Sequence, residues 1–375
     1  MKAPGRALVA AGLSGCLLLA GCAELTDIDQ KALVVGVALD SGSAPDTNVV
    51  GIQYLVPGQG QGGQGGAVLG GATSAQPGQG VTVCDQATSV GAALQDLRDE
   101  TERLIYLGNL GVIAVGQALA QQDVVSALNY FLRDGQVAEA TQLVVVQGRA
   151  CAFLQNRTSA TSSNSLALYE YMSAAERATF PASPNVLWRF LSGLLSPAEA
   201  SYAPLVGTSE QGAPFRVLGT AFFLRGRLVG QAQGYHAAGF DWLLKKSGYP
   251  DALVNLPGSS RPVSVHVRSV ARRIRVLGPA HVALTMRFNT AVREGGVTLD
   301  ARDLGPLQAS IGNQLQYQIR ALLDQLEAQG TDVLGIGDRV LARYPGEAGD
   351  WPAVFSHTKI DLRVQVRLYE GGRML

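Results

Sequence analysis

The residue best placed to do chemistry is Cys22, at the end of an apolar N-terminal run. Lys2 and Arg6 lead into residues 7–20, an apolar stretch of 14, shorter than the ~20 residues a spanning helix needs. Residues 1–21 therefore read as a cleaved secretory signal and stand outside the fold. Its last residues, Leu19, Ala20 and Gly21, put small side chains beside the thiol. This is the arrangement of a bacterial lipobox, in which a signal peptidase approaches the backbone and the sulfur takes a diacylglyceryl group. Two acyl chains anchor a protein stably, whereas one attaches it only reversibly. Residues 22–30 would then be a lipidated tether. Its eight residues after the cysteine reach at most about 30 Å, which keeps the body beside the membrane or beside a protein embedded there.

The remaining chemistry is sparse. Cys16 leaves with the signal, so Cys84 and Cys151 are the other two cysteines. They are read either as buried free thiols, which their apolar flanks favour, or as a disulfide, which an exported chain permits. The four histidines His236, His266, His281 and His357 show no metal-ligand spacing. No nucleophile elbow and no P-loop occur. A formal G-x-G-x-x-G at Gly60, Gly62 and Gly65 lies in glycine-rich sequence with no helix opening after it, so it is not a dinucleotide fingerprint. The expectation is no catalytic residue, no metal and no cofactor: not an enzyme. Thirty basic residues against thirty acidic ones leave no net charge, so nucleic acid is not expected as a partner.

The elements that carry these residues mix strands and helices. Residues 32–39 form a near-continuous apolar run, the mark of a buried strand, and 48–56 form a second strand. Residues 57–80 hold ten glycines and five glutamines in 24 positions, a composition that buries no core and reads as a disordered insert. Helical spacing appears over 89–105 and 118–131, with strands at 81–83, 110–115 and 143–146. Pro197, Pro204 and Pro214 with Gly207 and Gly212 mark a boundary, giving domains at 31–205 and 213–375. After it come a hairpin turning at Arg225-Gly226-Arg227, a short helix at 240–247, and alternation at Val263, Val265 and Val267. Val282, Leu284, Met286 and Phe288 continue that alternation, which reads as antiparallel. An amphipathic helix spans 303–329, and a closing strand with one wet face runs over 360–368. The fold class is α+β: multi-domain, with mixed or antiparallel sheets packed with helices.

Several segments resemble one family. CAELTDIDQKALVVGVALD, from Cys22 to Asp40, is similar to the opening of the Ger(x)C spore germination lipoproteins, a lipidated Cys before an acidic motif and an apolar strand ending in Asp. RLIYLGNLGVIAVGQALA, from Arg103 to Ala120, resembles the family's R-x-L-x-x-G-H segment, with Asn109 where the His stands. Phe131-Leu132-Arg133-Asp134, the hairpin GTAFFLRGRLVG at 219–230, and DVLGIG at 332–337 followed by Tyr344-Pro345 and Trp351 complete the match.

The resemblance implies the C subunit of a GerA-type nutrient germinant receptor. Such a subunit is lipid-anchored on the outer face of the bacterial cell membrane, in the spore the inner membrane. It has no known catalysis and works beside an integral A subunit and a transporter-like B subunit. Whether the C subunit touches the nutrient is left open. The alternative is a solute-binding lipoprotein of an ABC transporter, which would show two doubly wound lobes around a ligand cleft.

Overall fold

The computed structural model describes residues 31–55, 80–101, 103–156, 163–175, 183–209, 212–255, 262–292, 304–346, 349–370 and 373–374. Leu19, Ala20, Gly21 and Cys22, the tether, and residues 57–79 of the glycine-rich insert lie outside them.

Strand β1 (Lys31–Ser41) is buried without a break from Val34 to Asp40, because both faces of its sheet are covered. It pairs antiparallel with β2 (Asn48–Leu55) and parallel with the short β4 (Leu104–Tyr106) and with β5 (Val112–Gly116). Strands β6 (Gln142–Val146) and β8 (Ala200–Gly207) extend the parallel centre. Antiparallel strands flank it: β3 (Gly80–Ala87) beside β2, and β9 (Arg216–Leu224) with β10 (Arg227–Gln233) beside β8. With β7 (Asn185–Val186) on β6, the sheet has ten strands.

One face packs on α1 (Val90–Thr101), α2 (Gln117–Ala120), α3 (Val124–Arg133) and α6 (Leu187–Leu195). The other packs on α4 (Ala150–Gln155) and α5 (Asn164–Ala175). The single helix expected over 118–131 is two helices. Asp123 caps the second one, accepting a hydrogen bond from the Val125 N–H at 3.0 Å, so the chain restarts rather than continues.

The Pro- and Gly-marked boundary falls inside this sheet, because β9 hydrogen-bonds β8 across it from Ala200–Leu224 to Gly207–Arg216. The second sheet has the order β11 (Ala252–Val254), β12 (Val263–Gly278), β13 (His281–Val292), β14 (Lys359–Glu370), β15 (Arg373–Met374). β12 and β13 form the antiparallel hairpin the alternation predicts. β14 is different: it runs parallel to β13 over ten residue pairs, because the chain crosses over through helix α8 (Leu304–Ala328) before returning.

Buried Ile311, Leu315, Ile319, Leu322 and Leu326 of α8 form the second core. They do so with the inward residues of β12–β14, with α7 (Tyr235–Leu244), α9 (Ile336–Leu341) and α10 (Trp351–Phe355). The core on the α1 face of the first sheet, the first core, meets the second core at β8 and β9, where Ala200 serves the second and Ala203 and Leu205 the first; consecutive residues of β9 point to opposite faces. Phe222 belongs to the second core, with its ring 5.1 Å from that of Phe240. Phe223 belongs to the first core, 4.9 Å from Phe190.

Candidate functional site

Among the described residues three buried polar clusters stand out, and each is tied to the fold. The first surrounds Asp40, buried at the end of β1. Its carboxylate accepts the Ala150 and Cys151 N–H groups, both at 2.8 Å. It thereby caps α4 from a distant strand, where the helix end favours a negative charge. Gly116 makes this approach possible, since a Cβ there would overlap Asp40 Oδ1. The helix so positioned carries Cys151, which is disulfide-bonded to Cys84 on β3 with Cα atoms 6.5 Å apart, within the usual span. These sulfurs are therefore not free thiols and offer no nucleophile. Beside them Gln53 is saturated. Its Nε2 donates to Thr82 Oγ1 and the Leu154 carbonyl, and its Oε1 accepts from Ser163 Oγ and the Ser165 N–H.

The DVLGIG segment forms the second cluster. Buried Asp332 accepts the N–H groups of Leu334 (3.2 Å), Ile336 (3.1 Å) and Gly337 (2.6 Å), and the Trp351 Nε1–H at 3.0 Å. Burial pushes its carboxyl above the ordinary range, against the pull of these four bonds. A side chain at Gly337 would run into the Trp351 indole at 2.5 Å, so this spacing of Asp, Gly and Trp is explained by packing. Asn109 sits in the turn after β4. His266 pairs with Asp251 at 2.7 Å and His281 with Asp361 at 2.6 Å. Among the described residues no three His, Cys, Asp or Glu side chains are grouped to hold a metal ion.

The third cluster lies where the two halves join, beside a cavity of about 410 Å³ lined by Ser183, Arg189, Tyr202, Lys245 and Lys246 among others. Behind it Asp241 of α7 is almost wholly buried and accepts the Ser183 hydroxyl hydrogen bond. Burial pushes the Asp241 carboxyl up to about 7, with Ser183 and Lys245 pulling the other way. The same burial lowers the Lys245 amine. Tyr171 is pushed up to about 12, first by burial and then by the Asp241 charge.

A fourth feature is on the surface. The outer face of the second sheet carries exposed Arg273 and Arg275 on β12, Arg287 on β13, and Lys359, Arg363 and Arg367 on β14. Strand register brings them together in rows such as Arg273–Thr285–Arg363 and Ala271–Arg287–Gln365. The sequence reading missed this face because the whole chain is neutral. Counting by halves would have found the asymmetry: residues 213–375 hold twenty basic and thirteen acidic residues, and residues 1–212 hold ten and seventeen. No helix of the described residues is long and apolar enough to cross a membrane.

Comparison with known proteins agrees with this architecture. The family model for the spore germination protein N-terminal domain matches residues 25–208, and that for the spore germination B3/GerAC-like C-terminal domain matches residues 218–372. The spore germination protein YfkR of Bacillus subtilis (strain 168) is 22% identical over 378 residues, covering 95% of this chain and 94% of its own. The crystal structure of the GerBC protein shares the fold, with a TM-score of 0.55 at 16% identity over 92% of this chain and all of that one. The two mixed sheets seen here are not the paired doubly wound lobes of a solute-binding lipoprotein. The matches extend through both sheets and nearly the whole sequence, and the chain belongs to the Ger(x)C, or GerAC-like, family of spore germination proteins.

Proposed function

We propose that the chain is the lipid-anchored C subunit of a nutrient germinant receptor, without catalytic activity of its own. In this reading it is held on the outer face of the spore's inner membrane beside membrane-embedded A and B subunits. The observation that carries it is the presence of both family domains, end to end, in one chain. Residues 1–21 are read as the signal peptide and residues 22–30 as the tether, with Leu19, Ala20 and Gly21 preparing Cys22 for the acyl chains. Residues 31–205 and 213–375 are read as the two family domains. The Cys84–Cys151 disulfide suits an exported, oxidising location.

Deleting the gene in the spore-forming host tests this directly. Spores should lose their response to one class of nutrient and still germinate on dipicolinate. An unchanged nutrient response in a host with no paralogue rejects the role. The anchor has its own test: mass spectrometry of the native protein should find a diacylglyceryl thioether on Cys22, and an unmodified sulfur rejects the anchor.

A further inference from the structure

We propose that the outer face of the second sheet is a docking surface for the anionic headgroups of the adjacent bilayer. Neighbouring strands lie about 4.8 Å apart, and successive outward residues about 7 Å apart along each strand. The six cations on this face therefore form one array across three strands rather than scattered surface charges. Arg273, Arg275, Arg363 and Arg367 make no ion pair with a described residue. Of the carboxylates that reach the face, Asp251 stands at one end, held by His266, and Asp361 lies between Lys359 and Arg363, where it pairs with His281 at 2.6 Å and Lys359 at 3.5 Å and so offsets one of the six cations. In a chain of zero net charge, so local an excess marks a surface built for an anionic counterpart.

The pairing of β13 with β14 adds an independent reason. Parallel strands are ordinarily covered on both faces, and among the described residues this pair is covered only on the side of α8 and the second core. The missing cover has to accept a sheet face that presents guanidinium and ammonium groups. Phosphate headgroups in a plane do so, since guanidinium forks bind phosphate oxygens in pairs. The margins suit a bilayer as well. Leu277 stands exposed at the hairpin tip. Tyr369 lies at the opposite end, with the Arg268 guanidinium 5.8 Å from its ring. An apolar tip and an interfacial aromatic are side chains of the membrane boundary. This docking rests on the proposed function only in that the body is kept beside a bilayer by a tether reaching at most about 30 Å.

The test uses the chain from residue 23 onward, without acyl groups. The described cores are built entirely from residues 32–368, so the fold does not depend on what is removed. Flotation is measured with vesicles of phosphatidylcholine alone and of phosphatidylcholine with roughly one-third phosphatidylglycerol. The chain should float with the anionic vesicles only, and physiological salt should weaken binding relative to low salt. The triple variant Arg273→Gln, Arg363→Gln, Arg367→Gln should lose about a hundredfold in partition, at about fivefold per cation, with its thermal unfolding unchanged.

The control triple Arg98→Gln, Arg133→Gln, Arg149→Gln, exposed residues of the first half, should bind like the parent. Equal losses in both triples, equal binding to both vesicles, or no vesicle binding overturn the proposal. No vesicle binding together with salt-sensitive self-association would make the face a contact between copies. Because no acyl chain or partner subunit takes part, a failure here leaves the Cys22 anchor and the receptor role standing. Conversely, an unmodified Cys22 leaves this binding measurable.

Discussion

Asp241 shows how one side chain can tie stability to pH. In the unfolded chain its carboxyl ionises near 3.8, whereas burial in the fold raises it to about 7. Between these values the folded state holds a proton that the unfolded state has lost, so folding is favoured by acidity. The contribution is full below about pH 4 and is lost as pH rises through about 7, by as much as about 4 kcal/mol. Asp241→Asn keeps the shape and the acceptor for Ser183 but removes the ionisation. Urea midpoints measured at about pH 5 and about pH 8 should therefore differ less in the variant than in the parent. Equal pH dependence in both would mean that Asp241 titrates in the fold as it does in water. Asp332 is also buried and also raised, but its four hydrogen bonds come from one loop and one indole, so its role is local.

At the scale of elements, the disulfide joins two whose cysteines the apolar flanks had favoured as free thiols. Cys84 lies mid-strand on β3, and Cys151 lies in the first turn of α4, held there by the Asp40 cap. It closes a separation of 67 residues, worth about 4 kcal/mol in the chain-entropy model. Reducing agent should lower the unfolding free energy by about that amount in the parent and leave a Cys84→Ser/Cys151→Ser variant unaffected. Calorimetry with and without dithiothreitol reads both, and insensitivity of the parent rejects the bond as a structural tie. The sequence displayed β1 and α8 plainly, because an unbroken apolar run and a 3.6-residue period are local patterns. It did not display the direction of β14. Alternation at Ile360, Leu362 and Val364 reports a wet face, while the neighbour's direction depends on the crossover through α8. Besides the neutral total charge, the basic face was hidden because Arg273 and Arg363 are far apart in sequence and come into one row, across Thr285, only through two strand registers.

At the scale of the whole molecule, the first and second cores share the paired strands β8 and β9. Alternation along β9 sends Phe222 into the second core, against Phe240 and near Tyr202, and sends Phe223 into the first, against Phe190. Adjacent backbone positions therefore fasten both halves, and the hydrogen bonds from β8 to β9 cross the segment that looked like a linker. Such a seam couples unfolding: neither core can open fully without exposing aromatic surface of the strand that serves the other. The parent should show a single calorimetric transition. Phe222→Ala removes a fully buried ring at the seam, costing about 3–5 kcal/mol, and should split the transition in two as the second core separates from the sheet. Phe223→Ala costs a similar amount but leaves the Phe222–Phe240 contact intact, so its transition should move to lower temperature and remain single. Two transitions in the parent, or an undivided one in Phe222→Ala, would show that the halves are held together elsewhere. Alternation along β9, with β8 hydrogen-bonded beside it, thus holds the two halves as one folding unit.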